Sequence, residues 1–147
     1  MKIYAQNRAA NYNYFIEHTI EAGLVLQGWE VKSIKADRVS IKEAYISTLT
    51  GNMEAVGIHI SPLNTAANEP TDPLRKRRLL LNKKEINTLI GKISIEGYTL
   101  IPLKLYEVNG KIKLMIALAK GKKNYDKRET IKDREWKLQK ARSFKRQ

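Results

Sequence analysis

From Tyr14 onward the chain alternates. Tyr14, Ile16, His18 and Ile20 share one side of an extended segment and Phe15, Glu17, Thr19 and Glu21 the other, a spacing that predicts a β-strand. Ala22-Gly23 interrupts the run, and Leu24-Val25-Leu26 resumes it as a second short strand or a bulged continuation. The period then changes. Across Gly28-Trp29-Glu30-Val31-Lys32-Ser33-Ile34-Lys35, Val31 and Ile34 share one side of a short helix, with Glu30 and Lys32 facing elsewhere. Asp37 can take the left-handed conformation that ends such a helix. Ahead of Tyr14, residues 1–13 are polar and aperiodic, a lead-in ordered by packing or by a partner.

Residues 41–49 and 53–60 predict the two strands of a hairpin around Thr50-Gly51-Asn52. Residues 61–73 carry prolines at 62, 70 and 73 and read as a loop. Arg75-Lys76-Arg77-Arg78 follows, either a solvated face or a functional cationic cluster. Asn82 with Glu85 three residues on is an N-cap with its box partner, and Ile86, Leu89, Ile90 and Ile93 recur at helical spacing before Gly97. Residues 98–107 and 111–119 flank Asn109-Gly110, the strongest short hairpin signal. In the second arm Ile112, Leu114, Ile116 and Leu118 point one way, and Lys111, Lys113 and Met115 the other; Pro102 marks an edge or a bulge in the first. The expected fold class is mainly β with helices (α+β): a small, closed, antiparallel OB-type β-barrel over residues 1–119 with flanking helices. Such a barrel commonly offers one face to single-stranded or irregular nucleic acid.

Charge narrows the partner. Lys and Arg number 28 against 15 acids, a net +13 and a pI near 9.9, which favours nucleic acid over an anionic membrane. Residues 120–147 hold twelve of those cations and four acids, a net +8, and form a basic tail. With no cysteine, disulfides and thiolate metal sites are excluded. No apolar run approaches the ~18 residues of a membrane span, so a soluble, cytoplasmic protein is expected.

Catalytic patterns are missing. Gly121-Lys122-Lys123 lacks the upstream glycine and the Ser/Thr of a phosphate loop, and no serine occupies a G-x-S-x-G elbow. His18 and His59 read as structural residues, and two histidines alone do not make a zinc site. The acids are scattered among lysines. No cofactor and no enzymatic activity are expected.

The tail has chemistry of another kind. Asp126 and Glu129 suit a helix N-terminus, and Asp133 with Lys137 forms an i,i+4 pair. Ile131, Leu138, Ala141 and Phe144 cover only a loose arc, with cations on every side. The tail is therefore expected to be disordered when free and helical when surrounded by phosphate. The alternative is a surface helix packed on the barrel through Ile131, Leu138 and Phe144.

Several separated motifs, in order, resemble a known family. These are Gly28-Trp29-Glu30-Val31-Lys32-Ser33, the segment from Asp72-Pro73-Leu74-Arg75 to Leu79-Leu80-Leu81, Glu96-Gly97-Tyr98-Thr99, and Ala119-Lys120-Gly121-Lys122-Lys123 with Asp126-Lys127-Arg128. The chain resembles the SmpB family of SsrA-binding proteins from about Asn7 to its C-terminus. Asp37 stands where glycine is usual, and Tyr12-Asn13 where a His-Asp pair is frequent.

The resemblance implies a non-enzymatic adaptor of trans-translation. Its barrel would bind the tRNA-like domain of transfer-messenger RNA, and its tail would enter the empty messenger channel beyond the decoding centre of a stalled ribosome. Elongation factor Tu would be met only through the charged RNA, and the adaptor would act as a monomer. By motif, Glu30, Lys32, Lys35, Arg75, Lys113, Lys120, Gly121, Lys122 and Lys123 are implied as transfer-messenger RNA contacts. Glu30 would either accept hydrogen bonds from base amino groups or 2′-hydroxyls or orient a neighbouring Lys; the alternative is a helix N-terminal acid favoured by the dipole. Tyr125, Asp126, Lys127, Arg128, Lys132, Arg134, Trp136, Lys137, Lys140 and Arg142 are implied as ribosome contacts of the tail.

Overall fold

The computed structural model describes residues 2–48, 52–63, 71–95 and 97–122. The segment expected to be a lead-in opens with a strand, β1 (Lys2–Gln6), paired antiparallel on the edge of the sheet with Lys2 opposite Glu107 and Gln6 opposite Lys104. Its backbone pairs while most of its side chains stay half or fully exposed, so it leaves no hydrophobic alternation to read. One helical turn follows, α1 (Ala10–Asn13). It seats the buried Ala10 on Ala117, Ala119 and Ile101, where small residues let its backbone come close.

Strand β2 (Tyr14–Leu24) runs through Ala22-Gly23 without a break. Its irregularity lies earlier, where the register shifts between Ile16 and His18 and leaves Glu17 as an extra residue. That bulge reverses the side-chain parity. Tyr14 and Ile16 pack on the outer face with α1, whereas Ile20, Ala22 and Leu24 pack in the main core. Strand β8 (Tyr98–Val108) repeats the device between Pro102 and Lys104. Ile101 packs outward and Leu105 inward. Asn7 satisfies this second bulge, its backbone N–H donating to the Leu103 carbonyl (2.7 Å) and its Nδ2 to the Pro102 carbonyl (3.2 Å).

Between these strands come α2 (Gly28–Lys35), β3 (Val39–Ser40), β4 (Tyr45–Ser47), β5 (Glu54–Val56), β6 (His59–Ile60), β7 (Arg77–Leu80) and α3 (Lys83–Ile93). The expected hairpin is present, with Tyr45 opposite Val56 and Ser47 opposite Glu54, but its strands are short. Residues 41–44 turn, and Gly57 at φ +84° separates β5 from β6, which pairs with β3. Asp37, at φ +61°, follows α2 as expected. At α3, Asn82 Oδ1 accepts from the Glu85 N–H (2.8 Å) and Glu85 Oε1 accepts from the Asn82 N–H (3.4 Å), the predicted capping box. Asn109 (φ +51°) and Gly110 (φ +78°) make the two-residue turn into β9 (Lys111–Gly121).

The sheet order is β1-β8-β9-β2-β7-β5-β4, all antiparallel, with β3-β6 apart. The sheet curls around a core of Ile34, Ile46, Met53, Leu79, Leu89, Leu105, Leu114, Ile116 and Leu118. It is an open barrel-like sheet: no ladder joins β4 to β1 among the described residues, so the expected closure is absent. Strand β9 continues to Gly121, two residues beyond the boundary at 119.

Candidate nucleic-acid interface

Helix α2 turns Glu30 inward. The helix buries Trp29, Glu30, Ser33 and Ile34 and leaves Val31 half exposed, a face rotated from the one read in the sequence. Glu30 is fully buried, and so is Arg77 on β7. Glu30 Oε2 accepts from Arg77 Nε (2.7 Å) and lies 2.6 Å from Arg77 Nη2 in the ion pair; Oε1 accepts from Arg75 Nη2 (2.5 Å) and from the Gln27 backbone N–H (2.7 Å). Arg77 also donates to the Ile58 and Pro73 carbonyls, and Arg75 to the Val25 carbonyl. Burial pushes the Glu30 carboxyl up, but the hydrogen bonds from Arg75, Gln27 and Arg77 outweigh it and hold the group below its ordinary value.

These contacts revise two expectations. Both Glu30 oxygens are turned into the protein, where they orient Arg75 and Arg77 in place of a lysine and accept the Gln27 N–H at the start of α2, as a helix N-terminal acid does. The run Arg75-Lys76-Arg77-Arg78 is not a uniform solvated face either. Arg77 is an interior residue, and Arg75 is half withdrawn, its side chain 28% exposed.

The outer face of the sheet holds a different arrangement. One cross-strand row runs over five strands: Leu80 on β7, Gly23 on β2, Lys113 on β9, Tyr106 on β8 and Ile3 on β1. Directly paired residues share a face, so these side chains stand together. The next row carries Glu21, Met115, Lys104 and Gln6. Tyr106 donates its hydroxyl to Glu21 Oε1 (2.5 Å) and lies 5.4 Å beneath Lys104 Nζ. Burial, and then the Glu21 carboxylate, raise the Tyr106 phenol far above its usual range, so it remains a donor that fixes Glu21. Leu80 is 55% exposed beside Gly23, where a Cβ would sit only 3.1 Å from Leu80 Cβ. The shelf continues into a hollow of about 310 Å³ lined by Gly23, Leu80, Gly110, Lys111 and Lys113. Lysines for phosphate, a held carboxylate for amino or hydroxyl donors, and an apolar shelf for a base or sugar suit folded RNA.

Lys113 thus lies in this row, as a polar-side residue of β9. Glu21, Leu80, Lys104 and Tyr106 were missed, because the bulge at Glu17 decides which face Glu21 occupies. Lys32 is exposed on α2, and Lys35 pairs with Glu107 Oε1 at 3.5 Å. Lys120 and Gly121 are exposed at the far end of β9, and Lys122 Nζ donates to the Asn11 carbonyl (2.8 Å). Lys123, Tyr125, Asp126, Lys127, Arg128, Lys132, Arg134, Trp136, Lys137, Lys140 and Arg142 lie outside the described residues. His18 is exposed, paired with Leu118 near the edge of the sheet's core rows, and His59 is exposed with Nδ1 3.5 Å from Ser61 Oγ. Among the described residues no cluster of three or more His, Cys, Asp or Glu could hold a metal, and no helix is long and apolar enough to cross a membrane.

A curled antiparallel sheet with a lysine-bearing outer shelf defines a small β protein of the RNA-binding class. Residues 4–146 match the family model described as SmpB protein. The chain is 52% identical over 142 residues to the SsrA-binding protein of Cupriavidus taiwanensis, covering 96% of this chain and 95% of that protein. It is 54% identical over 139 residues to the SsrA-binding protein of Thiobacillus denitrificans, covering 94% and 93%. A solved chain described under tmRNA-SmpB and its journey to the centre of the bacterial ribosome superposes with a TM-score of 0.66 at 39% identity, covering 81% of this chain and 84% of that one. The chain belongs to the SmpB family.

Proposed function

We propose that this protein is a non-enzymatic adaptor of trans-translation that binds the tRNA-like domain of transfer-messenger RNA and brings it to stalled ribosomes. The observation that carries the reading is the outer row from Leu80 to Ile3 with Glu21 held by Tyr106, in a chain that belongs to the SmpB family. That face offers shape, charge and fixed acceptors without any group placed to make or break a bond. Lys113, Lys104 and Lys111 meet phosphates, Glu21 meets exocyclic amines or 2′-hydroxyls, and Leu80 packs on a sugar or base. The Glu30–Arg75–Arg77 network holds α2 against β7 and leaves Arg75, Lys32 and Lys35 at the rim.

The basic tail from Lys123 is the proposed reader of the empty messenger channel, ordering as a helix against ribosomal RNA phosphate. Elongation factor Tu joins through the charged RNA alone, the protein acts as a monomer, and the setting is the cytoplasm. A paired assay tests the division of labour. Truncation after Lys122 should keep preferential binding of the tRNA-like domain at moderate salt and abolish tagging of nascent chains. Loss of that preference on truncation refutes it, because binding would then rest on the tail's charge.

A further inference from the structure

The sheet has a second built feature, at the opposite end of β2 and on the opposite face from Lys113. Phe15, Lys120 and Tyr98 occupy one cross-strand row over β2, β9 and β8. It lies beyond the last core row, where Leu118 pairs with Leu100 and His18. Phe15 is 49% exposed there. Each ring has an ammonium over it: Lys122 Nζ is 4.8 Å from the Phe15 centroid, and Lys120 Nζ 5.9 Å from that of Tyr98. Lys122 is held in place, its backbone N–H donating to the Asn13 carbonyl and its Nζ to the Asn11 carbonyl, both at 2.8 Å. Tyr98 is anchored by its hydroxyl on Glu17 Oε1 (3.1 Å), the bulge residue of β2. At Gly97 a Cβ would lie 3.2 Å from Lys120 Cε, so the glycine leaves room for that lysine.

We propose that Phe15, Tyr98, Lys120 and Lys122 form a stacking platform for one unpaired RNA base. An exposed phenyl ring outside the core offers a π-face to any base, and the ammonium groups beside the rings place positive charge where the attached phosphates would lie. Eight residues of β2 separate Phe15 from Gly23, about 25 Å along the strand. The platform is thus a site distinct from the outer shelf, on the other face of the sheet, and its base is assigned to an RNA other than the one bound there. Lys122 immediately precedes the tail, so this is the RNA that the tail enters. The assignment of that source rests on the adaptor reading; the stacking itself does not.

The test uses the full chain and a single-stranded RNA hexamer carrying one 2-aminopurine, whose fluorescence falls on stacking. Phe15→Leu should weaken the quenched complex by about 5- to 150-fold. Phe15→Trp should retain it, and Lys113→Ala should leave it unchanged. Saturating tRNA-like domain should not displace the hexamer. Equal quenching by the wild type and Phe15→Leu overturns the platform, and displacement by the tRNA-like domain overturns the separate source. Retained binding of the tRNA-like domain by Phe15→Leu establishes that the variant is folded. If the adaptor reading failed, preference for that RNA would be lost while the Phe15-dependent quench remained.

Discussion

Replacing Glu30 by glutamine should destabilise the protein without touching any exposed surface. The substitution keeps the side chain's shape and removes its charge, leaving the fully buried Arg77 with neutral acceptors alone, the new amide oxygen and the Ile58 and Pro73 carbonyls. Removing one member of a buried ion pair costs about 3–5 kcal/mol, because the remaining charge is stranded in a low-dielectric interior. Arg75, 28% exposed, can turn to water and adds little. At about 3–4 °C per kcal/mol for a folded unit of this size, Tm should fall by roughly 10–20 °C. Urea unfolding followed by circular dichroism gives the same quantity at constant temperature. A cycle with Arg77→Met isolates the pair: the double variant should cost clearly less than the two single variants together. Additive costs, within about 0.5 kcal/mol, would refute the claim that Glu30 is there for Arg77.

Acid should erase part of that difference. Glu30 titrates below its ordinary 4.5 in the folded protein, so its contribution is complete above that value and is lost as pH falls through the depressed one. The gap in Tm between wild type and Glu30→Gln should narrow on acidification below about pH 5; a constant gap contradicts the assignment. Lys113→Ala should weaken binding of the tRNA-like domain and flatten the log–log salt slope by roughly 0.7–0.9, the signature of one lost phosphate contact, measured by filter binding across a salt series. Asn82→Ala removes the acceptor for the Glu85 N–H and should cost about 1 kcal/mol in chemical denaturation, with the m-value unchanged.

The proposed RNA-binding shelf and the proposed stacking platform lie on opposite faces of the sheet. The outer shelf is fixed by strand register and by the Tyr106–Glu21 hydrogen bond, so it is rigid before any RNA arrives. Preorganisation of this kind lowers the ordering cost of binding and suits a protein that must recognise one folded RNA among many.

Local chemistry was legible in the sequence wherever a short-range rule applied. The Asn109-Gly110 turn, the Asn82–Glu85 box, the left-handed Asp37 and the bulge by Pro102 each follow from backbone preferences within a few residues. The inward row of Ile112, Leu114, Ile116 and Leu118 follows from strand periodicity. Family membership was legible too, from motifs spread along the chain. Only the tertiary structure decided the faces and partners. The bulge at Glu17 has no proline or glycine to announce it, yet it sets Glu21 on the outer shelf on the same face as Ile16, away from the main core. Strand β1 has little buried surface to pattern its sequence and exists because β8 offers it an edge. Glu30 and Arg77 lie 47 residues apart, and nothing local marks either as interior. Their burial is tolerable only because each neutralises the other, a condition met in space and not along the chain.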